Sequence, residues 1–331
     1  MSVYIIAEAG VNHNGSVEQA KKLCLAAKES GADCVKFQTW VTEKIITKTV
    51  KQANYQEKNT GNTQSQFDML KELELSQDQF REIKAYCEEI EIQFASTADE
   101  QDSLDFLVDL GIPFIKIGSG EIGNIPYLRY MGKQKLPIIL STGMSTLGDV
   151  ERSLQALRDG GAEKITLLHC TTSYPCPCAN VNLRAMDTLQ KAFGLEVGYS
   201  DHTIGIEIPI AAVAMGATVI EKHFTLNRNM AGPDHLASTE PKEFKKMTQA
   251  IRNIEAALGT GRKEPSAAEK EISRVVLKRI VAARPISKGK VLEYEDLTVK
   301  RSDSGLPAHA WDLVIGTVAR KDYEVDEGIM F

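Results

Sequence analysis

Eight short runs of β-branched and apolar residues punctuate the first two thirds of the chain, and each ends in polar, reactive residues. Tyr4–Ala7 leads to Glu8, Cys34–Val35 to Lys36 and Gln38, Phe94–Ala95 to Ser96 and Thr97, and Phe114–Ile115 to Lys116 and Ser119. Ile138–Leu140 leads to Ser141 and Thr142, Ile165–Leu168 to His169 and Thr171, Val197–Tyr199 to Ser200 and His202, and Val219–Ile220 to Glu221 and His223. Segments of helical period lie between them. Val17–Ser30 carries Ala20, Leu23, Cys24 and Ala27 on one face, and Ser76–Ile90 opens with the capping-box pair Ser76 and Gln79. Asp99–Leu110, Leu147–Arg158, Ile206–Met215 and Lys242–Leu258 each end at glycine. Alternating strands and helices of this number predict an α/β fold, a (β/α)8 barrel of the TIM type. In such a barrel the C-terminal strand ends converge on one mouth, where chemistry is done.

Two stretches break the rhythm. Thr39–Leu75 is polar and too long for an ordinary barrel connection, so it is expected to form part of the mouth and cover a substrate. After Gly259 the alternation stops. The division expected is a barrel over residues 1–260, a charged linker over 261–271, and a β-rich module over 272–331 with strand-like runs at Ile280–Ala283, Leu297–Val299 and Val314–Ala319. A module of that size is marginal alone and is expected to dock on another surface.

Composition narrows the function classes. A net charge of −6 argues against a nucleic-acid surface, and no apolar run is long enough to span a bilayer. The N-terminus opens in a strand without a signal peptide, which points to the cytoplasm. The six cysteines fit no zinc spacing and are expected to be free thiols, Cys176-Pro177-Cys178 included.

The strand ends carry the candidate chemistry. His202 and His223 follow neighbouring strands and can share a divalent ion, although either alone would read as a hydrogen-bonded structural histidine. His169 has weaker support, and His13, His235 and His309 have none. Lys116, followed by the small Gly118-Ser119-Gly120-Glu121 loop, suits an anion such as a phosphate, with Ser119, Ser141, Thr171 and Ser200 as hydroxyl donors. An internal ion pair with Glu8 or Glu221 and a Schiff-base lysine are the other readings. Glu8 is a candidate for acid–base work or for a pair with Lys36 or Lys116.

These motifs taken together resemble the sialic acid (nonulosonate) synthases. The resemblance runs through Ile6-Ala7-Glu8-Ala9-Gly10, Asn12-His13-Asn14-Gly15, Lys36-Phe37-Gln38-Thr39 and Lys116–Glu121. It continues through Leu140–Met144, Ser200-Asp201-His202-Thr203, Glu221–Thr225 and Gly232-Pro233-Asp234-His235. The C-terminal module is similar to that family's antifreeze-like (SAF) domain through Ile286–Gly289 and Lys300-Arg301. The resemblance implies a metal-dependent transferase that joins phosphoenolpyruvate to an open-chain N-acylated hexose and releases phosphate. It implies that His202 and His223 hold a divalent metal, Mn2+ before Mg2+ or Co2+, and that Lys116, Ser119, Ser141 and Ser200 hold phosphoenolpyruvate beside Thr171–Tyr174. Thr97 and Glu121 join the substrate-binding set, and Glu8, Gln38 and Asp234 meet the sugar. Arg301 would reach a partner's barrel in a homodimer with swapped C-terminal domains. Two segments depart from the family pattern: Thr97-Ala98-Asp99 stands where Thr-Pro-Phe is usual, and Ser302-Asp303 follows Arg301 in place of Pro-Gly. His169-Cys170-Thr171-Thr172 looks more like the legionaminic acid branch, whose acceptor is 2,4-diacetamido-2,4,6-trideoxymannose. An N-acetylneuraminate synthase using N-acetylmannosamine and, more distantly, a Schiff-base aldolase on Lys116 are the alternatives.

Overall fold

A computed structural model describes residues 2–52 and 65–331. All eight predicted strands form: β1 Tyr4–Gly10, β2 Cys34–Thr39, β3 Gln93–Ala98, β4 Ile115–Ile117, β5 Ile138–Ser141, β6 Ile165–Cys170, β7 Glu196–Asp201 and β8 Val219–His223. They pair in parallel, in chain order, and β8 closes on β1. The expected TIM barrel is therefore present.

Directly paired residues of a parallel sheet point to the same face, and residues two apart along a strand share it. That rule sorts the barrel into layers. Ile6, Cys34, Ala95, Phe114, Ile139, Leu168 and Val219 form one buried cluster from seven strands, the apolar floor of the barrel. The intervening residues face outward and pack against the helices in the larger core, with Ile5, Ala7, Val35, Ile115, Ile138, Leu140 and Leu167 among them. The remaining strand, β7, puts Gly198 at floor level, where a Cβ would lie 2.7 Å from Leu168 Cδ2 and 2.4 Å from the Val219 carbonyl oxygen. Only glycine fits there.

Six predicted helices form within two residues of their expected ends, and Ser76 and Gln79 make the capping box. Two further helices were not expected, Ile125–Gly132 and Ala185–Phe193. Both are short, and Pro126 lies in the first turn of the former. The Thr39–Leu75 stretch is not simply a polar loop. Its described parts include helices Thr42–Ile45 and Gln66–Leu73, which bury Trp40, Met69 and Leu73 with Val11. The remainder of that stretch, 53–64, lies outside the described residues.

The chain divides into compact units at Gly259 and Thr260. In the second unit, a helix at Ala267–Val276 with a Ser266–Glu269 capping box runs across residues 271 and 272, where the linker was expected to end. Strands Lys278–Ala282 and Leu297–Arg301 pair antiparallel over a core that includes Ile280, Ile286, Leu292, Val314 and Ile329. The expected strand at Val314–Ala319 does not form. Val314 ends a helical turn, Gly316 reverses the backbone with φ +80°, and Val318 makes only an isolated bridge to Val291.

Candidate active site

Two residues beyond each floor residue, the same inward face turns polar. Ile6 is followed by Glu8, Cys34 by Lys36, Ala95 by Thr97, Phe114 by Lys116, Ile139 by Ser141, Leu168 by Cys170 and Val219 by Glu221; Gly198 is followed by Ser200. The next inward positions are Gln38, His202 and His223. Pairing fixes neighbours in this layer: Glu8 opposes both Lys36 and His223, Thr97 opposes Lys116, and Ser200 opposes Glu221. They line a cavity of about 220 Å³ with Asp99, Gly118, Ser119, Gly120, Met144, Thr172 and Tyr174.

Four buried charges occupy its base. Lys36 Nζ lies 2.5 Å from Glu8 Oε2 and 3.6 Å from Glu221 Oε2, and donates to Thr97 Oγ1 at 3.0 Å. Lys116 Nζ lies 3.5 Å from Glu221 Oε1 and donates to Ser141 Oγ at 2.8 Å. Ser200 donates to Glu221 at 2.8 Å, and Gln38 Nε2 donates to Glu8 Oε1 at 3.0 Å. Burial pushes the Glu221 carboxyl up, yet Lys116, Lys36 and the Ser200 hydroxyl outweigh it and hold the group at about 2. Burial pulls Lys36 down, and the carboxylates of Glu221 and Glu8 reverse this to a net rise. Lys116 has fewer partners, so burial wins and its ammonium is easier to deprotonate than usual. Glu8 is raised, because burial and Glu221 outweigh Lys36 and Gln38. Ser119 Oγ accepts from the Gly143 N–H at 2.9 Å and lies 3.2 Å from Cys170 Sγ. This side of the cavity thus offers an ammonium and three hydroxyls to an anion.

The two histidines line the same cavity at the ends of β7 and β8. Their ring centroids are 5.4 Å apart, with the Tyr174 ring 4.3 Å from His202 and 5.7 Å from His223. The Thr171 carbonyl lies 2.8 Å from His202 Nδ1, which makes Nδ1 the donor and leaves an unprotonated Nε2. His223 Nδ1 is buried without a hydrogen bond and lies 4.0 Å from Asp234 Oδ2. Burial pulls both imidazoles below the usual range and so keeps them neutral, the form that ligates a metal. Two lone pairs facing one space fit a divalent ion whose other positions are filled by water or substrate. Among the described residues no group of three or more His, Cys, Asp or Glu is placed to hold an ion. Burial and the nearby Glu8 raise Asp234 to about 7.

The structure gathers Glu8, Gln38, Thr97, Lys116, Ser119, Ser141, Tyr174, Ser200, His202 and His223 around one cavity, with Asp234 beside His223. Two expected residues fall elsewhere. Thr171 contributes its carbonyl to His202, while Thr172 lines the cavity. Glu121 turns away and accepts from Asn124 at 2.6 Å. Arg301 is exposed at the end of a strand in the second unit. His169 is tied to the Val181 carbonyl at 2.7 Å. Lys36, Glu221, Cys170 and Asp99 were not singled out for the site. Counting two positions on from each floor residue finds the first three.

Fold and site together define an α/β-barrel protein whose mouth combines buried ammonium groups, hydroxyls and paired imidazoles. The chain belongs to the NeuB family, whose model matches residues 23–263, and residues 279–331 match the SAF domain. It is 48% identical over 325 residues to the N,N'-diacetyllegionaminic acid synthase of Campylobacter jejuni, covering 98% of this chain and 97% of that one. It is 45% identical over 321 residues to the enzyme of the same name from Legionella pneumophila, covering 96% and 90%. The crystal structure of N-acetylneuraminic acid synthetase from Leptospira borgpetersenii in complex with citrate matches with a TM-score of 0.72 at 33% identity, over 82% of this chain and 90% of that one.

Proposed function

We propose that the chain joins phosphoenolpyruvate to the open-chain aldehyde of an N-acylated hexose, with water consumed and phosphate released. The proposed acceptor is 2,4-diacetamido-2,4,6-trideoxymannose, which gives N,N'-diacetyllegionaminic acid. The observation that carries the reading is the buried Lys116 ammonium, placed beside Ser119, Ser141 and Ser200 and open to the cavity. That set suits a phosphate ester. The choice of acceptor rests on the two legionaminic relatives, and N-acetylmannosamine is the alternative.

Lys116 and the hydroxyls fix phosphoenolpyruvate so that its vinyl carbon faces the aldehyde. Gln38, Glu8 and Asp234 orient the sugar. Asp234, raised to about 7 by burial and Glu8, can hold or release a proton near neutral pH, and burial makes Glu8 hold a proton more readily than an ordinary carboxyl, as the aldehyde oxygen gains one proton and the attacking water loses one. A new C–C bond forms, water adds at the former enol carbon, and the tetrahedral adduct expels phosphate to leave the 2-keto acid. His202 and His223 would hold the divalent ion, Mn2+ by preference, which supplies Lewis acidity toward the aldehyde when bound.

The direct test is phosphate release from phosphoenolpyruvate with a panel of N-acylated hexoses. The diacetamido sugar is expected to give the highest kcat/KM, and N-acetylmannosamine weak turnover. A clear preference for N-acetylmannosamine moves the chain to the other branch, and no release with any hexose overturns the reaction. Because burial also makes Lys116 a fair amine nucleophile, an aldolase reading has one observation in its favour. A borohydride-reducible adduct with a keto substrate would establish it. None is expected, and Lys116→Met is expected to abolish turnover or raise the KM for phosphoenolpyruvate strongly.

We further propose that the active form is a homodimer in which Arg301 meets the sugar in a partner's barrel. Its support is an exposed guanidinium without an ion pair among the described residues. The six cysteines are free thiols, the usual state in a reducing compartment such as the cytoplasm. Among the described residues no helix is long and apolar enough to cross a membrane. Mixing inactive His202→Ala chains with inactive Arg301→Ala chains is expected to restore up to a quarter or so of the parent activity after subunit exchange, because one site in the mixed dimer is intact. No recovery places Arg301 in its own chain's site or outside catalysis.

A further inference from the structure

Asp99 lines the cavity from a turn whose neighbouring polar groups have structural uses. Its own N–H donates to the Thr39 carbonyl at 3.2 Å. The Tyr127 hydroxyl bridges the carbonyls on either side, Ala98 at 3.0 Å and Glu100 at 2.9 Å. The Glu100 carboxylate caps the following helix through the Asp102 and Ser103 N–H groups. The Asp99 carboxyl is the remainder. Among the described residues it makes no hydrogen bond or ion pair, and it lines the cavity with Glu8, Lys36, Gln38 and Thr97. It also lines an adjoining cleft of about 500 Å³ with Lys44, Gln101, Asn124 and Tyr127, so it stands on the boundary between the two spaces.

A turn that holds a half-buried carboxyl at a cavity mouth, with no protein partner among the described residues, leaves it free to accept from a ligand that displaces its water. Phosphoenolpyruvate is a poor match for the ionised group. It carries negative charge and acceptor oxygens, and a carboxylate repels both. An N-acylated hexose presents hydroxyl and amide N–H donors. The inner cavity of about 220 Å³ is smaller than the roughly 300–1,000 Å³ usual for ligand clefts, so an acceptor bound with phosphoenolpyruvate extends to the mouth, which Asp99 lines.

We propose that Asp99 accepts a hydrogen bond from a hydroxyl or acylamino N–H of the acceptor sugar and is a specificity determinant of this chain. The assignment rests on the condensation proposed above and deepens it. Burial, and then the charge of the nearby Glu121, push the Asp99 carboxyl up to about 7; Lys36 opposes the rise, and Glu8 and Glu100 add to it. Tyr127 is the other titratable neighbour and stays neutral, its hydroxyl pushed far up by burial. The charged, stronger acceptor therefore forms as pH rises through neutrality.

Asp99→Leu is expected to raise the acceptor KM about tenfold, the worth of one charge-assisted hydrogen bond, with the KM for phosphoenolpyruvate within twofold of the parent. Asp99→Asn keeps one acceptor oxygen and is expected to raise it less. In the parent the acceptor KM falls between pH 6 and 8; in Asp99→Asn that dependence is weaker. A rise under threefold in Asp99→Leu, or an equal rise for phosphoenolpyruvate, overturns the proposal. Should Asp99→Leu fail to fold, an unchanged pH dependence in Asp99→Asn overturns it. Failure of the parent to release phosphate with any hexose is a different result and strikes the reaction itself.

Discussion

Glu221→Gln is expected to cost about 3–5 kcal/mol of stability at neutral pH and to remove activity, because it strips the only carboxylate partner from a buried lysine. Lys116 Nζ has Glu221 at 3.5 Å and no other carboxylate within ion-pair distance among the described residues. Lys36 keeps Glu8 at 2.5 Å and suffers less. A glutamine amide can still meet Ser200, so the loss measures charge rather than shape. The sign with pH follows from the native value of about 2, which lies below the usual carboxylate range. Such a group adds stability that is present in full above the unfolded value near 4.3 and fades as pH falls toward 2. The gap between parent and variant is therefore widest near neutrality and narrows on acidification. Urea midpoints at pH 7 and pH 4 measure it. A second comparison isolates the pair: Lys116→Met added to Glu221→Gln is expected to recover part of the lost stability, since both buried charges are then gone. A variant as stable as the parent at pH 7 would show that the lysine is already neutral in the native state.

The barrel was legible because its strands are buried on both faces and read as apolar runs separated by helical period. Strand ends were enough to find the mouth. They were not enough to choose between adjacent residues, because the side-chain period of two sends neighbours to opposite faces. His169 and Thr171 in β6 and its loop illustrate this. Cys170 between them is the inward residue, two positions beyond Leu168 of the floor. Lys36 and Glu221 were passed over as ion-pair partners of other residues, which they are; the pairing is itself what builds the base of the proposed anion site. Asp99 gave only a departure from a family pattern, and its meaning needed the Tyr127 bridge, contacts between residues 29 and 27 apart. The helix at Ile125–Gly132 was hidden by Pro126 and by its short length. The 42–45 and 66–73 helices were hidden by the polar residues around them, and their stability comes from one apolar cluster with Trp40 and Val11.

The remaining large effect concerns the paired imidazoles. Alanine at His202 or at His223 is expected to lower turnover by about a hundredfold or more, and exhaustive chelation of the parent to do the same until Mn2+ is restored. Activity alone would not separate a ligand from a group that merely shapes the cavity, since both rings pack on Tyr174. Ion uptake separates them. Titration of the metal-free parent with Mn2+ is expected to show one site per chain, and each alanine variant to bind at least tenfold more weakly. The two positions differ in a useful way. His202 has its Nδ1 fixed by the Thr171 carbonyl, so its free nitrogen is already oriented, and His202→Gln is expected to regain little. The Nδ1 of His223 is buried and lacks a hydrogen bond, a state that costs roughly 1–3 kcal/mol unless something meets it. Removing that ring relieves the cost in the metal-free chain. His223→Ala is therefore expected to leave metal-free stability nearly unchanged or slightly raised beyond the loss from its packing, while cancelling the stabilisation that Mn2+ gives the parent. Full turnover after exhaustive chelation, or equal Mn2+ uptake by the parent and both variants, would remove the metal from this site and leave the imidazoles as hydrogen-bonding groups for the sugar.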